Sequence, residues 1–347
     1  MNQSNFPSLF KSLTGHPPFP WQVALYQEFV EGKVPLLCSI PTGLGKTMVI
    51  VVWLLALANP ERKQPRRLVY VVNRRTIVDQ ATDLISSIRE KLGNALGDST
   101  SALYATACKL RQMDCFGDEA GNPLAVSTLR GELADNEEWK SNPTKPAVII
   151  GTVDMIGSKL LFSGYGDSRR TRPLHAAFLG CDTIFIHDEA HLTPAFGKLL
   201  KSIKQFQENA QSNIELEGIS GIKVLELSAT HWQSRSSNSE FGLSEEDHSN
   251  PVVKKRLEAS KALHLHEVSK DGAPLLKKIS ELALEYITHR EACRVVVLVR
   301  KPDDVQKLAA QIEKRISDAM IEEGVAASPG NKLSLKERKL IKVAAEG

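Results

Sequence analysis

Six short runs of β-branched and other apolar residues recur along the chain: Val34–Ile40, Leu68–Val72, Ala147–Gly151, Thr183–His187, Val224–Leu227 and Arg294–Val299. They are almost wholly apolar rather than alternating, so each suits a strand covered on both faces, as in parallel sheets. Helical patterns follow within a few residues, as at Lys46–Ala58 and Thr76–Leu92. Right-handed crossovers between such strands give an α/β fold, a doubly wound parallel sheet. With 347 residues, 42% of them hydrophobic, the chain can fill more than one core.

Between Trp232 and Pro251 the composition turns to Ser, Asn and Glu, which predicts a linker or mobile loop. The expected organisation is an N-terminal segment over residues 1–24, a first domain over 25–250 and a second over 251–347. In the second, strands are expected at Ala262–Val268 and Arg294–Val299, helices at Pro274–His289 and Pro302–Ile316, and an isolated helix at Leu333–Ala345. A doubly wound domain normally needs ~150 residues, so the second one is expected to be incomplete.

Charge and cysteine usage exclude several classes. Lys and Arg number 44 against 41 Asp and Glu, a net charge of +3, so no global field draws the chain onto a polyanion; a local patch must do it. Cys38, Cys108, Cys115, Cys181 and Cys293 are odd in number and contain no C-x-x-C pair, which argues against a disulfide framework or structural zinc and suits a reducing cytoplasm. The longest apolar run, Met48–Ala58, falls short of the about 20 residues that a bilayer requires. No membrane association is expected.

The sharpest chemical signal is Pro41-Thr42-Gly43-Leu44-Gly45-Lys46-Thr47, placed after a predicted strand and opening a predicted helix. Glycines let the backbone curl so that its N–H groups and the positive helix end cradle phosphates; Lys46 would reach the β and γ oxygens of ATP and the Thr47 hydroxyl would ligate Mg²⁺. The general pattern asks for Gly where this chain has Ile40. A second signal is Asp188-Glu189-Ala190-His191, directly after the run Thr183–His187. Carboxylates at the carboxyl end of a parallel strand face the ligand edge; Asp188 would hold Mg²⁺ through water, and Glu189 would orient and deprotonate the water that attacks the γ-phosphorus. Alone, such acids are as compatible with a solvated helix start; beside a phosphate loop they form a pair.

These two motifs resemble those of superfamily 2 helicases of the DEAH-box kind, which implies RecA-like domains. Ser228-Ala229-Thr230 matches their third motif, so the resemblance implies that His191 and Ser228 couple hydrolysis to the nucleic-acid path. Phe19-Pro20-Trp21-Gln22 is similar to their adenine-recognition segment, with Gln22 reading the base; a buried anchor at Trp21 is the equally weighted alternative. Leu13–His16, Val71–Thr76, Ser127–Gly131 and Gly151–Ser158 further resemble the helicase-nuclease of type I CRISPR interference systems, nearest to subtype I-U or I-G, over roughly residues 10 to 310. That family implies a monomeric motor that moves single-stranded DNA in the 3′ to 5′ direction, serves an RNA-guided surveillance complex, and carries a metal-dependent HD nuclease.

The chain departs from the family in two ways. His187-Asp188 is the sole His-Asp dipeptide and belongs to the acidic motif, so no HD nuclease is legible; His264 and His266, sharing a face of a predicted strand, read as packing or surface residues. No Gln-x-x-Gly-Arg context surrounds Arg294, Arg300, Arg315 or Arg338, and an arginine finger can contribute about 10³–10⁵ in rate, so ATP binding with weak hydrolysis is expected. Arg74, Arg75 and Thr76, with Thr152 and Asp154, are the candidate DNA contacts, gripping phosphates at strand ends. Arg169, Arg170 and Arg172 are expected in a solvated loop, and Trp53 and Trp139 in the core. The competing readings are another superfamily 2 motor, such as an RNA helicase or restriction translocase, and a non-catalytic module that binds nucleotide or a complex.

Overall fold

The computed structural model describes residues 5–61, 63–116, 121–129, 138–213, 221–229, 240–260, 262–268, 272–288, 295–322 and 342–345. The chain divides into two compact units, Met1–Ala259 and Ser260–Gly347.

The first unit runs α1 (Phe6–Thr14), α2 (Pro20–Val30), β1 (Leu37–Ser39), α3 (Val49–Leu57), β2 (Arg67–Val72), α4 (Arg75–Leu96), α5 (Tyr104–Arg111), β3 (Ala125–Leu129), the single turn α6 (Glu138–Ser141), β4 (Ala147–Thr152), α7 (Val153–Leu160), α8 (Arg172–Gly180), β5 (Thr183–His187), α9 (Pro194–Asn213), β6 (Ile222–Ser228), β7 (Glu240–Gly242), α10 (Glu245–Ser249) and α11 (Pro251–Leu257). Its strands form one sheet of seven in the order β3-β4-β2-β5-β6-β1-β7, parallel at every pairing. This is the fold of RecA-like helicase domains.

Burial on both faces explains the unbroken apolar runs. In β2, Leu68, Tyr70 and Val72 enter one core with Ile85 and Leu92 of α4 and Leu110 of α5. Val69 and Val71 enter the other with Ile156 of α7, Leu179 of α8 and Leu200 of α9. Alternation of side chains across a strand makes both sets apolar. Helix α3 is buried at all nine positions, which is why its sequence has no polar face. Trp53 and Trp139 are both buried.

In the second unit, α12 (Ala273–Thr288), β8 (Val296–Val299) and α13 (Pro302–Glu322) precede β9 (Lys342–Ala345), which pairs parallel with β8. A small core joins Leu276, Ala283, Val299, Leu308 and Ile312.

The structure corrects several sequence expectations. Lys342–Ala345 is a strand rather than the end of a helix, because β8 offers it a parallel edge; residues 333–341 lie outside the described residues. Ala262–Val268 forms no strand, and His264 and His266 are exposed there. The expected linker is ordered from residue 240 onward: β7 pairs with β1, Ser244 caps α10 in a capping box with Asp247, and the Asn250 side chain accepts from Val252 and Val253 to cap α11. Its residues 232–239 lie outside the described ones. Strands β3 and β7 were not anticipated. Among the described residues no helix is long and apolar enough to cross a membrane.

Candidate active site

Strand β1 delivers the phosphate loop. Ile40, where the general pattern has Gly, is fully buried and its amide donates to Ser228 O at 3.1 Å, so this position belongs to the sheet. Curling begins at Gly43 and Gly45, whose φ of 84° and 75° are left-handed. A side chain at Gly45 would also come within 3.2 Å of Gln22 Nε2. Lys46 opens a short 3₁₀ turn, Lys46–Met48, that leads into α3.

Strand β5 delivers the acids to the same place. The central contact is between Lys46 Nζ and Glu189 Oε1, 2.6 Å apart and largely buried. Glu189 has a left-handed backbone, φ 49°, unusual for a residue with a side chain and the kind of strain that concentrates at functional sites. His191 Nδ1 lies 3.4 Å from Glu189 Oε2. Asp188 is buried; its Oδ1 accepts from the Glu189 amide at 3.0 Å, and its Oδ2 accepts from the Tyr70 hydroxyl at 2.5 Å. That hydroxyl is 3.5 Å from Thr47 Oγ1, so Tyr70 of β2 bridges the two residues expected to hold the metal.

Burial raises the Asp188 carboxyl above its ordinary value, against the opposing hydrogen bond from Tyr70 and the Lys46 charge. Burial, then the negative charge of Asp188, raises the Tyr70 phenol well above its own. His187, behind the acids, is pushed down to about 4 by burial, and its Nε2 meets Thr193 Oγ1 at 2.7 Å. A buried carboxylate beside a threonine hydroxyl fits a hard divalent cation with oxygen ligands.

The segment Phe19–Gln22 packs onto this loop. Trp21 is a buried anchor: its amide donates to Asp247 Oδ1 at 2.8 Å and its indole to Leu44 O at 3.2 Å. Gln22 accepts from the Phe19 amide at 2.9 Å and donates to Gly45 O at 3.3 Å. Arg256 of α11, absent from any sequence motif, donates to Gly43 O and lies over the Phe19 ring, 5.5 Å from its centroid.

Ser228 and His191 line one cavity of about 380 Å³ together with Glu226 and Lys198. Ala229 is half-buried beside Ser228, and Thr230 lies outside the described residues. The DNA candidates share the ligand edge of the sheet. Arg74 and Arg75 begin α4 after β2, and Thr152 and Asp154 begin α7 after β4; the register pairs Val72 with Thr152 and Val71 with His187. Arg74, Arg75, Thr76 and Asp154 are exposed. In the second unit, Arg315 pairs with Glu281 at 3.4 Å, while Arg294 and Arg338 lie outside the described residues.

The type III restriction enzyme, res subunit, family model matches residues 16–232. Nothing among curated proteins matches the chain. Among solved structures, the Mycobacterium smegmatis helicase Lhr bound to ssDNA and AMP-PNP superposes with a TM-score of 0.51 at 15% identity, covering 96% of this chain and 39% of that one. The DUF1998 helicase MrfA bound to DNA gives 0.51 at 14% identity, covering 97% of this chain and 44% of that one. The chain thus spans less than half the length of either helicase.

Proposed function

Because the chain belongs to the family of the type III restriction enzyme res subunit, we propose that it is an ATP-dependent nucleic-acid motor of helicase superfamily 2. The observation that carries this reading is the contact of Lys46 with Glu189, 2.6 Å, which joins the phosphate loop to the acidic motif. In this reading the amides of the Pro41–Thr47 loop, including those of Thr42 and Leu44, cradle the triphosphate, and Lys46 exchanges Glu189 for the β and γ oxygens. Glu189, so released, accepts the proton of the attacking water. Thr47 and Asp188 would hold Mg²⁺, which neutralises charge on the β- and γ-phosphates when bound. Gln22 reads adenine, and His191 with Ser228, Ala229 and Thr230 couples the nucleotide to the nucleic acid.

Single-stranded DNA would cross the strand ends at Arg74, Arg75, Thr76, Thr152 and Asp154, held by phosphates and amino-terminal helix dipoles. Support comes from the shared edge of β2 and β4 and from the likeness to a helicase whose structure holds ssDNA and AMP-PNP. The finer reading is a monomeric, cytoplasmic motor of type I CRISPR interference, moving 3′ to 5′ and loaded by an RNA-guided surveillance complex. Its support lies in Leu13–His16, Val71–Thr76, Ser127–Gly131 and Gly151–Ser158. A restriction translocase is the second reading, favoured by the family match itself.

Phosphate release by the 347-residue chain, measured with single-stranded DNA, duplex DNA and RNA, tests the proposal. Expected is slow hydrolysis stimulated by single-stranded DNA and lost in Glu189→Gln; stimulation by duplex alone favours the restriction reading, by RNA alone an RNA helicase. No stimulation by any of the three, with no nucleotide binding, overturns the motor.

A further inference from the structure

The loop joining α7 to α8 presents a surface that the phosphate and acidic motifs leave unused. Phe162 and Tyr165 are 57% and 62% exposed, and Leu161 before them and Leu174 in the first turn of α8 are exposed as well. Arg169 and Arg170 are exposed, and Arg172 is half-buried. Between Leu161 and Leu174 the single acidic residue is Asp167. Its carboxylate turns inward, with the side chain 7% exposed, and meets Lys159 Nζ at 3.0 Å and His175 Nδ1 at 2.9 Å. The loop's one negative charge is therefore neutralised inside, and what faces outward is cationic and aromatic.

The loop is also shaped for this display. Gly164 passes so close to the ion cluster that a side chain there would overlap Asp167 and lie 2.9 Å from Lys159 Cγ. Phe162 is held with φ 57°, a left-handed conformation that disfavours bulky residues, yet its ring is exposed rather than stored in the core. Lys159 further lies over the buried Trp139 ring, 5.9 Å from its centroid. An anchored loop that holds aromatic rings in water, followed by exposed arginines, matches the way single strands are bound, by base stacking along a cationic track.

Helix α7 starts at the candidate phosphate contacts Thr152 and Asp154 and is eight residues long, about 12 Å at 1.5 Å per residue, so one short helix connects the loop to those contacts. We infer that residues 161–172 form a second single-strand contact, in which Phe162 and Tyr165 stack on bases while Arg169 and Arg170 bind phosphates. The inference rests on the nucleic-acid reading above, and it replaces the expectation of a merely solvated loop for these arginines.

Fluorescence anisotropy of a labelled oligothymidylate across a salt series tests it, with the full chain and two double variants. Phe162→Asn with Tyr165→Ser should weaken binding about a hundredfold, since each of the two stacked bases contributes about tenfold, with the salt slope unchanged. Arg169→Gln with Arg170→Gln should weaken binding and lower the slope by about 1.4, near 0.7 per phosphate on single strands. All four residues are exposed, so melting temperatures should hold. Crosslinking of 5-iodouracil oligonucleotides should map to Phe162 or Tyr165. If the wild type binds and both variants match it in affinity and slope, the loop is overturned as a strand contact and its rings fall to a protein partner, while the motor reading stands. If the wild type itself binds no oligonucleotide, the loop contact and the single-stranded DNA reading both fail.

Discussion

Tyr70→Phe isolates one hydroxyl at the centre of the site. The ring is fully buried in the sheet core, and Phe keeps its volume, so no large cavity opens. What disappears is the 2.5 Å hydrogen bond to Asp188 Oδ2. A hydrogen bond to a charged group contributes about 1.5–3 kcal/mol, and at neutral pH that is the loss expected in unfolding free energy. The loss should depend on pH in a stated sense. Burial already raises Asp188, and Tyr70 is the first force opposing that rise; without it the carboxyl rises further. A raised acid contributes stability that is present below its unfolded value and lost as pH rises through its folded value. The variant should therefore lose stability relative to wild type as Asp188 ionises, and the gap should narrow on acidification. Urea unfolding at neutral and mildly acidic pH, by intrinsic fluorescence, measures it. A gap under about 0.5 kcal/mol at neutral pH, or one of constant size across the series, would refute the reasoning.

By the same logic, Asp188→Asn should leave the ligand-free protein at least as stable at neutral pH, because it removes an ionised group that burial disfavours, while abolishing Mg²⁺-dependent nucleotide binding; urea midpoints with and without MgATP check both. Arg256→Ala, which loses the Gly43 carbonyl contact and the Phe19 stack, should cost under about 1 kcal/mol of stability yet weaken ATP binding severalfold, read by titration of a fluorescent analogue. Asp167→Asn strips the partner from buried Lys159 and His175 and should cost about 3–5 kcal/mol in urea unfolding. In the wild type, burial would raise Asp167, but hydrogen bonds from His175 and Lys159 hold it below its ordinary value. Its contribution is thus present above the unfolded value and lost as pH falls through the folded one.

What the sequence made legible followed from double-sided burial. Strands β2, β4, β5 and β6 stand inside the sheet, so both faces had to be apolar and the runs stood out. β3 and β7 sit at its two edges: β3 is almost wholly buried and feeds both cores through Val126 and Leu129, but Ser127 and Thr128 break its apolar run, with Thr128 Oγ1 3.0 Å from Thr82 Oγ1, whereas β7 is three largely exposed residues within a polar stretch. The same polar stretch hid α10 and α11, although Ser244-x-x-Asp247 and Asn250-Pro251 are helix-start signals that composition overrode. In the site, Lys46, Asp188 and Glu189 were legible because phosphate and metal chemistry demands those residue types at strand ends. Tyr70 was not, because its role depends on β2 lying between β4 and β5, which no local pattern encodes. Arg256 and the Lys159–Asp167–His175 cluster share that character, assembling from distant segments through tertiary packing alone.

Calorimetric titration of MgATP into the wild-type chain and into Lys46→Ala tests the central claim most directly, that the phosphate loop and the acids form one nucleotide site. Saturable binding to the wild type and none to the variant is the predicted result. Equal affinity in both would place the nucleotide elsewhere and contradict the account.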